Sequence, residues 1–391
     1  MRKNIILLVL CALCIPACNT GREAENDYHV CAFVWPSCHD DSLGRINWPA
    51  GEGEWEVIKQ GTPRYEGHYQ PKRPLWGYQM DDDPKVVEKW IDTALEYGVN
   101  TFIYDWYWFD SYPYLEGALD NGFLKASNCS KMNFYIMWAN HDVARNYWNH
   151  HKWGDDDSIL WHGAVGMDDF KRIVERVIRL YFHQPNYVKI DGCPVFAIFD
   201  TNNFINGFGG MQQAQQAVAY MREEVKKAGF PDLHLQIAPG AVPTPRPKAI
   251  ASLKAKVDSL GIDSMAGYNP GGWDQDYTRM NRNAIGSREI WNDVLDIPVF
   301  PTVAIGWDDT PRFPEKGKDS TMHIDATSQA FALYLRLAKE YADRNAASQP
   351  RFIMINAWNE WVEGSYLLPD EVLGYSYLEA VKSVFKPEAI N

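Results

Sequence analysis

The chain has 391 residues, a formal net charge of −13 at pH 7 and an aromatic content of 14%, including 16 Trp. The acidic balance argues against nucleic acid as a partner, because binding to phosphates relies on clustered Lys and Arg. The length suffices for two domains or for one large barrel. The Trp excess favours sugar recognition, since pyranose rings stack on aromatic side chains, although a Trp-rich core would give the same composition.

The first residues are typical of an export signal. Two basic residues precede an apolar run over 5–15 that is too short to span a bilayer as a mature helix. The Ile-Pro-Ala sequence before Cys18 resembles a bacterial lipobox, which predicts cleavage before Cys18 and lipid attachment to its thiol. A plain signal peptide cut elsewhere is the alternative. We expect a signal peptide over 1–17, a tether over 18–28, and a periplasmic or cell-surface protein anchored to a membrane by lipid.

From residue 29 the chain alternates between apolar, β-forming runs and amphipathic helical patterns. The strand predictions cover 29–35, 100–108, 133–140, 194–200, 233–239, 264–268, 299–307 and 352–359. The helix predictions cover 84–97, 114–126, 168–182, 211–228, 248–260, 283–294, 328–344 and 377–385. This alternation predicts an α/β fold, a single (β/α)8 TIM barrel over 29–391. A doubly wound open sheet is the alternative, but no Gly-rich nucleotide-binding turn follows any predicted strand.

The segment between the first predicted strand and the first predicted helix is far longer than an ordinary βα loop. It spans 36–83 and is rich in Gly, Pro, Trp and Tyr. We expect a loop of this length at the top of a barrel to shape the binding cleft.

Polar and aromatic side chains collect at the predicted carboxyl ends of the strands, where barrels of this type place catalytic groups. The candidates for substrate contact are Trp35, Asp105, Trp106, Tyr107, Trp138, Asn140, His141, Tyr268, Trp307, Asn359 and Trp361, with His68 and Tyr69 from the long loop. A sugar-binding cleft would explain the whole collection. Individually, Trp106 or Tyr107 could belong to the core, and His68 or His141 could be structural.

Two glutamates stand at the end of the last predicted strand, in the sequence RFIMINAWNEWVEGSYLLPD over 351–370. Glu360 and Glu363 cannot converge along a regular strand, because residues three apart lie about 10 Å from each other. The chain must therefore bend after Glu360, and Gly364 permits a turn. The two carboxylates can then face one bound group from two sides, as glycoside hydrolysis requires. An exposed loop with two solvated glutamates is the alternative, against which the flanking Trp residues argue.

No motif in the chain predicts a cofactor or a metal. The acidic runs 81–83 and 155–157 lack the spacing of a calcium loop. The cysteines that follow Cys18 have neither metal-ligand nor redox spacing, and an exported location permits disulfides without requiring them. A Gly-x-Ser-x-Gly nucleophile elbow and a phosphate-binding loop are both absent from the sequence.

Several stretches together carry a resemblance to a known family. They are EGHYQPKRPL (66–75), YDWYWF (104–109), YLEGALDN (114–121), MWAN (137–140), YVKIDGCPVFAIF (187–199) and AWNEWVEGSYLLPD (357–370). The combination resembles the WbsX-like proteins, which are related to glycoside hydrolase family 99, the endo-acting α-mannosidases and mannanases. The resemblance implies a (β/α)8 barrel, catalysis without a metal, and retention of anomeric configuration.

The resemblance also implies roles for the two glutamates. Glu360 matches the carboxylate that deprotonates the sugar 2-hydroxyl, which then attacks the anomeric carbon to give a 1,2-anhydro intermediate. Glu363 matches the general acid that protonates the leaving oxygen and later activates water. His141 stands where WbsX-like chains commonly carry an acidic residue, which leaves open which sugar is contacted there.

The sequence thus predicts an exported glycoside hydrolase acting on α-mannoside or related linkages of an oligo- or polysaccharide. A non-catalytic glycan-binding lipoprotein on the same scaffold is one alternative. The other is a glycosyltransferase, because the WbsX-like name has also been attached to such enzymes. Export would separate a transferase from its nucleotide-sugar donors.

Overall fold

The structure is a computed structural model that describes residues 28–271, 274–315, 322–323 and 325–387. The expected signal peptide, Cys18 and the expected tether up to residue 27 lie outside the described residues.

In the described part of the chain, nine parallel strand segments form the central sheet. They are β1 (Tyr28–Val34), β2 (Thr101–Phe109), β3 (Asn133–Trp138), β4 (Cys193–Ile198), β5 (His234–Ile237), β6 (Ser264–Ala266), β7 (Val299–Phe300), β8 (Thr302–Ala304) and β9 (Arg351–Asn356). Their order in the sheet is β7-β6-β5-β4-β3-β2-β1-β9-β8. The strands are buried almost throughout, as expected for a parallel sheet covered by helices.

The barrel closes at Pro301, the residue between β7 and β8. β7 pairs with β6 and β8 pairs with β9. Proline has no backbone N–H to donate to a ladder, so the seventh strand is split into two consecutive pieces around Pro301. The nine segments therefore occupy eight strand positions, and the prediction of a (β/α)8 barrel is confirmed.

Eight longer helices lie within the described ranges and surround the sheet. They are α1 (Pro84–Tyr97), α2 (Met167–Val177), α3 (Thr201–Gly207), α4 (Met211–Lys227), α5 (Pro247–Leu260), α6 (Tyr277–Leu295), α7 (Ser328–Arg344) and α8 (Ser376–Phe385). Shorter helical segments are Gly44–Ile46, Trp55–Ile58, Ala118–Phe123, Cys129–Lys131, Arg145–Trp148, His150–Trp153 and Ile178–Phe182. Short antiparallel strands are Tyr112–Tyr114, Val143–Ala144, Ile159–Trp161, Lys189–Ile190, Asn359–Glu360 and Ser365–Tyr366.

The capping signals read from the sequence account for the ends of α1. The Asp83 carboxylate accepts a hydrogen bond of 2.8 Å from the backbone N–H of Lys85. Pro84 takes the first helical position, where its missing N–H costs nothing. Gly98 follows the helix with φ +98°, a left-handed conformation that favours glycine.

The helix predicted over 114–126 is partly wrong. Tyr112–Tyr114 pairs antiparallel with the end of β2, and only Ala118–Phe123 is helical, as a π-helical turn. Tyr114 is fully buried with its ring 5.4 Å from that of Trp148, so tertiary packing overrides the local helical pattern. The sequence did not predict helix α3. It begins directly after Asp200, whose carboxylate accepts hydrogen bonds from the backbone N–H groups of Asn202 and Asn203.

Buried polar contacts hold the long loop over 36–83 together, and the backbone N–H of Leu75 ties it to the carbonyl of Pro369, beyond β9, at 2.9 Å. The Asp81 carboxylate binds His39 Nδ1 at 2.6 Å and accepts the N–H of Cys38 at 2.9 Å. The backbone N–H of Glu54 donates to the carbonyl of Ser37 at 2.9 Å. The loop is therefore an ordered part of the carboxyl face of the barrel.

Two further observations concern only the described part of the chain. Each helix there is too short or too polar to cross a lipid bilayer. Cys31, Cys38, Cys129 and Cys193 are free thiols.

The close approach of the backbone at Gly53 gives a stability test. A Cβ at Gly53 would lie 1.9 Å from the Ser37 carbonyl oxygen, at φ +60°, whereas a Cβ at Gly67, at φ +84°, meets nothing within 4 Å. We expect Gly67→Ala to lose about 1 kcal/mol from backbone strain alone. Gly53→Ala should lose clearly more, because the backbone around Ser37 must also shift. Thermal unfolding of both variants is the measurement, and equal losses in Tm would contradict the close approach.

Candidate active site

The chain reverses direction immediately after β9, as the spacing of the two glutamates predicts. Asn359–Glu360 pairs antiparallel with Ser365–Tyr366, which makes a tight hairpin. Gly364 closes it with φ +63°, and a Cβ there would lie 2.8 Å from Cβ of Asp308. Glu363 therefore projects from the turn, and both Glu360 and Glu363 are buried.

Both glutamates line one small cavity, of about 40 Å³, at the carboxyl end of the barrel. Five other residues predicted from the sequence line it as well: Trp35, Asp105, Tyr107, His141 and Tyr268. Six lining residues were not predicted: Met137, Ala139, Tyr147, Trp148, Phe199 and Arg312. The volume holds a few waters, far less than the roughly 300–1,000 Å³ of ordinary ligand pockets.

Three buried carboxylate oxygens of this cavity have no hydrogen-bond partner among the described residues. They are Oε2 of Glu360, Oε2 of Glu363 and Oδ1 of Asp105. Oε1 of Glu360 accepts a long hydrogen bond of 3.4 Å from the Tyr268 hydroxyl. A buried carboxylate oxygen is costly to leave unpaired, so these atoms are suited to carry a proton or to accept hydrogen bonds from ligand hydroxyls.

Arg312 is the cation that lies between the acidic groups. Its Nη1 donates to Oε1 of Glu363 and its Nη2 donates to Oε1 of Glu54, each at 3.0 Å. Oε2 of Glu54 accepts from Nε1 of Trp35 at 2.5 Å and from the Ser37 hydroxyl at 3.2 Å. Glu54 and Arg312 are themselves buried, so the site contains a hydrogen-bonded ion-pair network shielded from water.

The carboxyl groups of the site hold protons more tightly than free carboxyl groups do. Burial raises the pKa of Glu363 to about 7, although the charge of Arg312 opposes the rise. Burial, and next the charge on Glu363, raise the pKa of Glu360 well above its usual range. Burial and the charge on Glu363 also raise the pKa of Asp105. The contact with Arg312 thus favours an ionised Glu363 and a protonated Glu360 in the ligand-free site.

Aromatic rings form the rest of the wall. The ring of Trp35 lies 5.5 Å from those of Tyr107 and Trp148, and the guanidinium of Arg312 lies over the Tyr147 ring at 5.6 Å. Burial lowers the pKa of His141, so this imidazole is neutral at pH 7. Neutral polar groups set among aromatic faces are the usual surroundings of a bound sugar.

Two predicted tryptophans lie on the opposite face of their strands. Trp106 donates from Nε1 to Glu116 at 2.8 Å, and Trp138 packs against Phe170 and Phe204. Both indoles face the helical layer because their strand neighbours, Asp105 and Met137, face the cavity.

Two predicted asparagines bind backbone groups instead of lining the cavity. Asn359 joins the ends of β9 and β1, accepting from the N–H of Trp35 at 2.8 Å and donating to its carbonyl at 2.7 Å. Asn140 makes the same pair of contacts with the backbone of Asp200, at 2.7 and 2.8 Å, beyond the ends of β3 and β4. These amides hold neighbouring strand ends together. Trp361, also predicted, stacks on Tyr366 at 4.0 Å.

The remaining predicted residues surround a separate cavity of about 160 Å³ beside Gly364. His68, Tyr69 and Trp307 line it, together with Asp308. His68 Nε2 lies 2.9 Å from Oδ2 of Asp308, and Lys72 lies 3.6 Å from the same oxygen. Burial would raise the pKa of Asp308, but the hydrogen bond from His68 and the charge of Lys72 hold it below its usual value.

The charged residues that sequence reasoning missed come from loops, and the missed tyrosine comes from a short helix. Glu54 lies in the long loop, Arg312 follows β8, and Tyr147 belongs to a short helix after β3. None of the three stands at a strand end, so the rule that located the other residues does not apply to them. Phe199 had a usable signal, because it directly follows β4 and precedes Asp200.

The described residues contain no group of three or more His, Cys, Asp or Glu side chains arranged to hold a metal ion.

Two solved structures have folds similar to that of this chain. A glycoside hydrolase-like protein has a TM-score of 0.59 at 15% identity, covering 93% of this chain and 96% of that one. The GH99 endo-α-mannosidase from Bacteroides thetaiotaomicron, in complex with bis-tris-propane, also has a TM-score of 0.59, at 14% identity, covering 91% of this chain and 95% of that one. The fold is therefore a TIM barrel similar to those of these two proteins.

The model of the family described as Glycosyltransferase WbsX matches residues 30–381, and the chain belongs to this family. An uncharacterized protein, WxcX of Xanthomonas campestris pv. campestris, is 27% identical over 367 residues, which is 90% of this chain. The chain spans 48% of the length of that protein.

The raised pKa of Glu360 gives a test of its burial. The folded protein keeps a proton that the unfolded chain releases above about pH 4.5, so this group makes stability fall as pH rises from there. Glu360→Gln keeps the shape and cannot ionise. We expect its Tm relative to wild type to increase from pH 5 to pH 9, measured by differential scanning fluorimetry. The exposed Glu66→Gln is the control, and a pH-independent difference for Glu360→Gln would contradict burial of an ionisable group.

Proposed function

We propose that the protein is a retaining glycoside hydrolase that cuts α-mannoside or related linkages in a glycan. The observation that supports this most directly is the hairpin after β9, which places two buried glutamates in one cavity. Each of them has a carboxylate oxygen without a hydrogen-bond partner among the described residues. A pair of carboxyl groups is what general acid–base cleavage of a glycosidic bond needs. The proposed roles place the proton on Glu363 when substrate is bound, the reverse of the ligand-free site.

In the proposed reaction Glu360 takes the proton of the sugar 2-hydroxyl, and the 2-oxygen forms a bond to the anomeric carbon. The bond to the leaving oxygen breaks, and Glu363 gives that oxygen its proton. In the second step water attacks the anomeric carbon, and the bond between that carbon and the 2-oxygen breaks. Glu363 takes a proton from the attacking water, and Glu360 returns a proton to the 2-oxygen. Two displacements retain the anomeric configuration, and both glutamates end as they began. These roles follow the resemblance to family 99.

The other groups of the cavity are suited to hold the sugar in place. Asp105 and Tyr268 can bind hydroxyls, and Trp35 and Tyr107 offer apolar faces. His141 supplies a neutral imidazole where the WbsX-like pattern commonly has an acidic group. Because a neutral group binds hydroxyls differently from a carboxylate, we propose that His141 contributes to the choice of sugar.

The name of the family model raises a second candidate, a glycosyltransferase. Such an enzyme would bind the diphosphate of a nucleotide sugar, which requires cations or backbone N–H groups. Around the cavity, Arg312 is already paired with Glu54 and Glu363, and Asp105 and Glu360 add further acidic groups. This balance of charge favours a neutral glycan over a diphosphate.

Catalysis by the glutamate pair is tested by isosteric replacement. We expect Glu363→Gln and Glu360→Gln each to lower the release of reducing ends from α-mannans by about 100-fold or more, because each removes a proton-transfer step. The exposed Glu371→Gln, eight residues beyond Glu363, should keep wild-type activity. Proton NMR of the first-formed product should show retained anomeric configuration.

The same assay separates the alternatives. Activity that persists in Glu363→Gln would remove this residue from the mechanism. Glycan binding without release of reducing ends by wild type would identify a binding protein. Binding and turnover of a nucleotide sugar would identify a transferase.

We also propose that the protein is exported and held at a membrane by lipid on Cys18. Cys18→Ser removes the thiol that would carry the lipid. We expect the variant to leave the membrane fraction of cells expressing the full chain, as judged by immunoblot after fractionation. An unchanged distribution between fractions would argue for a plain signal peptide.

A further inference from the structure

Arg312 connects one member of the glutamate pair to a third carboxylate. Its Nη1 reaches Oε1 of Glu363 and its Nη2 reaches Oε1 of Glu54, both at 3.0 Å. Its side chain is buried, as is that of Glu54. Among the described residues that line the cavity, Arg312 is the one with a permanent positive charge.

Glu54 binds Nη2 of Arg312, the guanidinium nitrogen that does not contact Glu363. Its second oxygen accepts from Trp35 Nε1 and the Ser37 hydroxyl. The backbone of Trp35 is in turn bound to Asn359, the residue before Glu360. The guanidinium is therefore held by a carboxylate of the first loop as well as by the Glu363 side chain.

This arrangement gives the two glutamates different partners. Glu363 has an ion-pair partner, whereas Glu360 has the Tyr268 hydroxyl at 3.4 Å. Among the described residues, the other ionisable groups that act on the pair are acidic or neutral: Glu54, Asp105, Asp309, Tyr107, Tyr147, Tyr268 and Cys38. Without a cation, burial among acidic groups would drive both glutamates to the neutral form.

We propose that Arg312, anchored by Glu54, is a positioning residue that holds the Glu360–Glu363 pair at a single shared proton at neutral pH. The proposed chemistry needs that state, because one group must accept a proton while the other donates one. Its catalytic meaning rests on the proposed function. In the ligand-free site the arginine favours the proton on Glu360, so transfer to Glu363 requires the contact between Arg312 and Glu363 to loosen. Glu54 is the carboxylate that retains the arginine when this happens.

The proposal predicts that loss of Arg312 and loss of the Glu54 charge shift the titration midpoint of Glu363 in opposite directions. We expect Arg312→Met to raise the titration midpoint of Glu363 by about 1 to 3 pH units, the usual effect of losing an adjacent opposite charge. Glu54→Gln should lower it, because a nearby negative charge is removed while the arginine remains. Arg312→Lys keeps the charge and should stay near wild type. The measurement is ¹³C NMR of full-length protein labelled at glutamate side-chain carboxyl carbons, with Glu363→Gln used for assignment.

A matched control lies outside the cavity. Arg176 also contacts two carboxylates, Glu116 and Asp120, behind the barrel wall. Arg176→Met removes a comparable ion pair and should leave the Glu363 signal unshifted. If the loss of any buried arginine disturbed the structure in the same way, the Glu363 signal would shift in both Arg312→Met and Arg176→Met.

The acid limb of the pH profile of kcat/KM should follow the same directions as the NMR midpoints. Shifts of the same sign in Arg312→Met and Glu54→Gln, or none, would overturn the proposal. If Arg312→Met does not fold, the downward shift in Glu54→Gln and the unchanged midpoint in Arg312→Lys decide the question. Opposite NMR shifts in a protein that cleaves no glycan would uphold the role of Arg312 and reject the proposed function.

Discussion

The burial of several acidic side chains beside one guanidinium is the constraint on which the rest of the site depends. β1 pairs with both β2 and β9, so the long first loop meets the end of the last strand, and Arg312 reaches the same place from beyond β8. Removing carboxylates from water is costly, and the cost is met by pairing or by protonation. Both solutions occur here, since Glu363 and Glu54 share the arginine while burial raises the pKa of Glu360.

The rigidity of the surrounding barrel allows this arrangement to persist. Asn359 and Asn140 join adjacent strand ends through paired backbone hydrogen bonds, which limits the freedom of the segments that carry the site. The backbone N–H of Asp308 also donates to the carbonyl of Glu363 at 2.6 Å, so the turn is tied to the segment after β8. Reactive groups supported in this way keep the short distances that proton transfer requires.

The charge of the cavity bears on a difference between the name of the family and the names of proteins with a similar fold. The family model carries the name of a glycosyltransferase, whereas two solved structures with a similar fold are named a glycoside hydrolase-like protein and a GH99 endo-α-mannosidase. A fold alone does not assign an activity, whereas the charges of the cavity bear on which ligand it can bind. An acidic cavity with its arginine already paired suits a neutral glycan better than a nucleotide diphosphate, which is the physical ground for proposing hydrolysis.

The sequence by itself determined the barrel, the bend after Glu360 and the strand ends from which much of the cavity is built, because hydrophobic periodicity and turn residues are local signals. It did not decide which face of β2 and β3 points inward. Every residue of β2 is buried, so Trp106 and Asp105 were equally good candidates until the register was known. The contact between Arg312 and Glu54 joins residues 258 positions apart in loops without periodicity. Only the tertiary structure could bring that pair together, because no local pattern records which distant charges share a buried site.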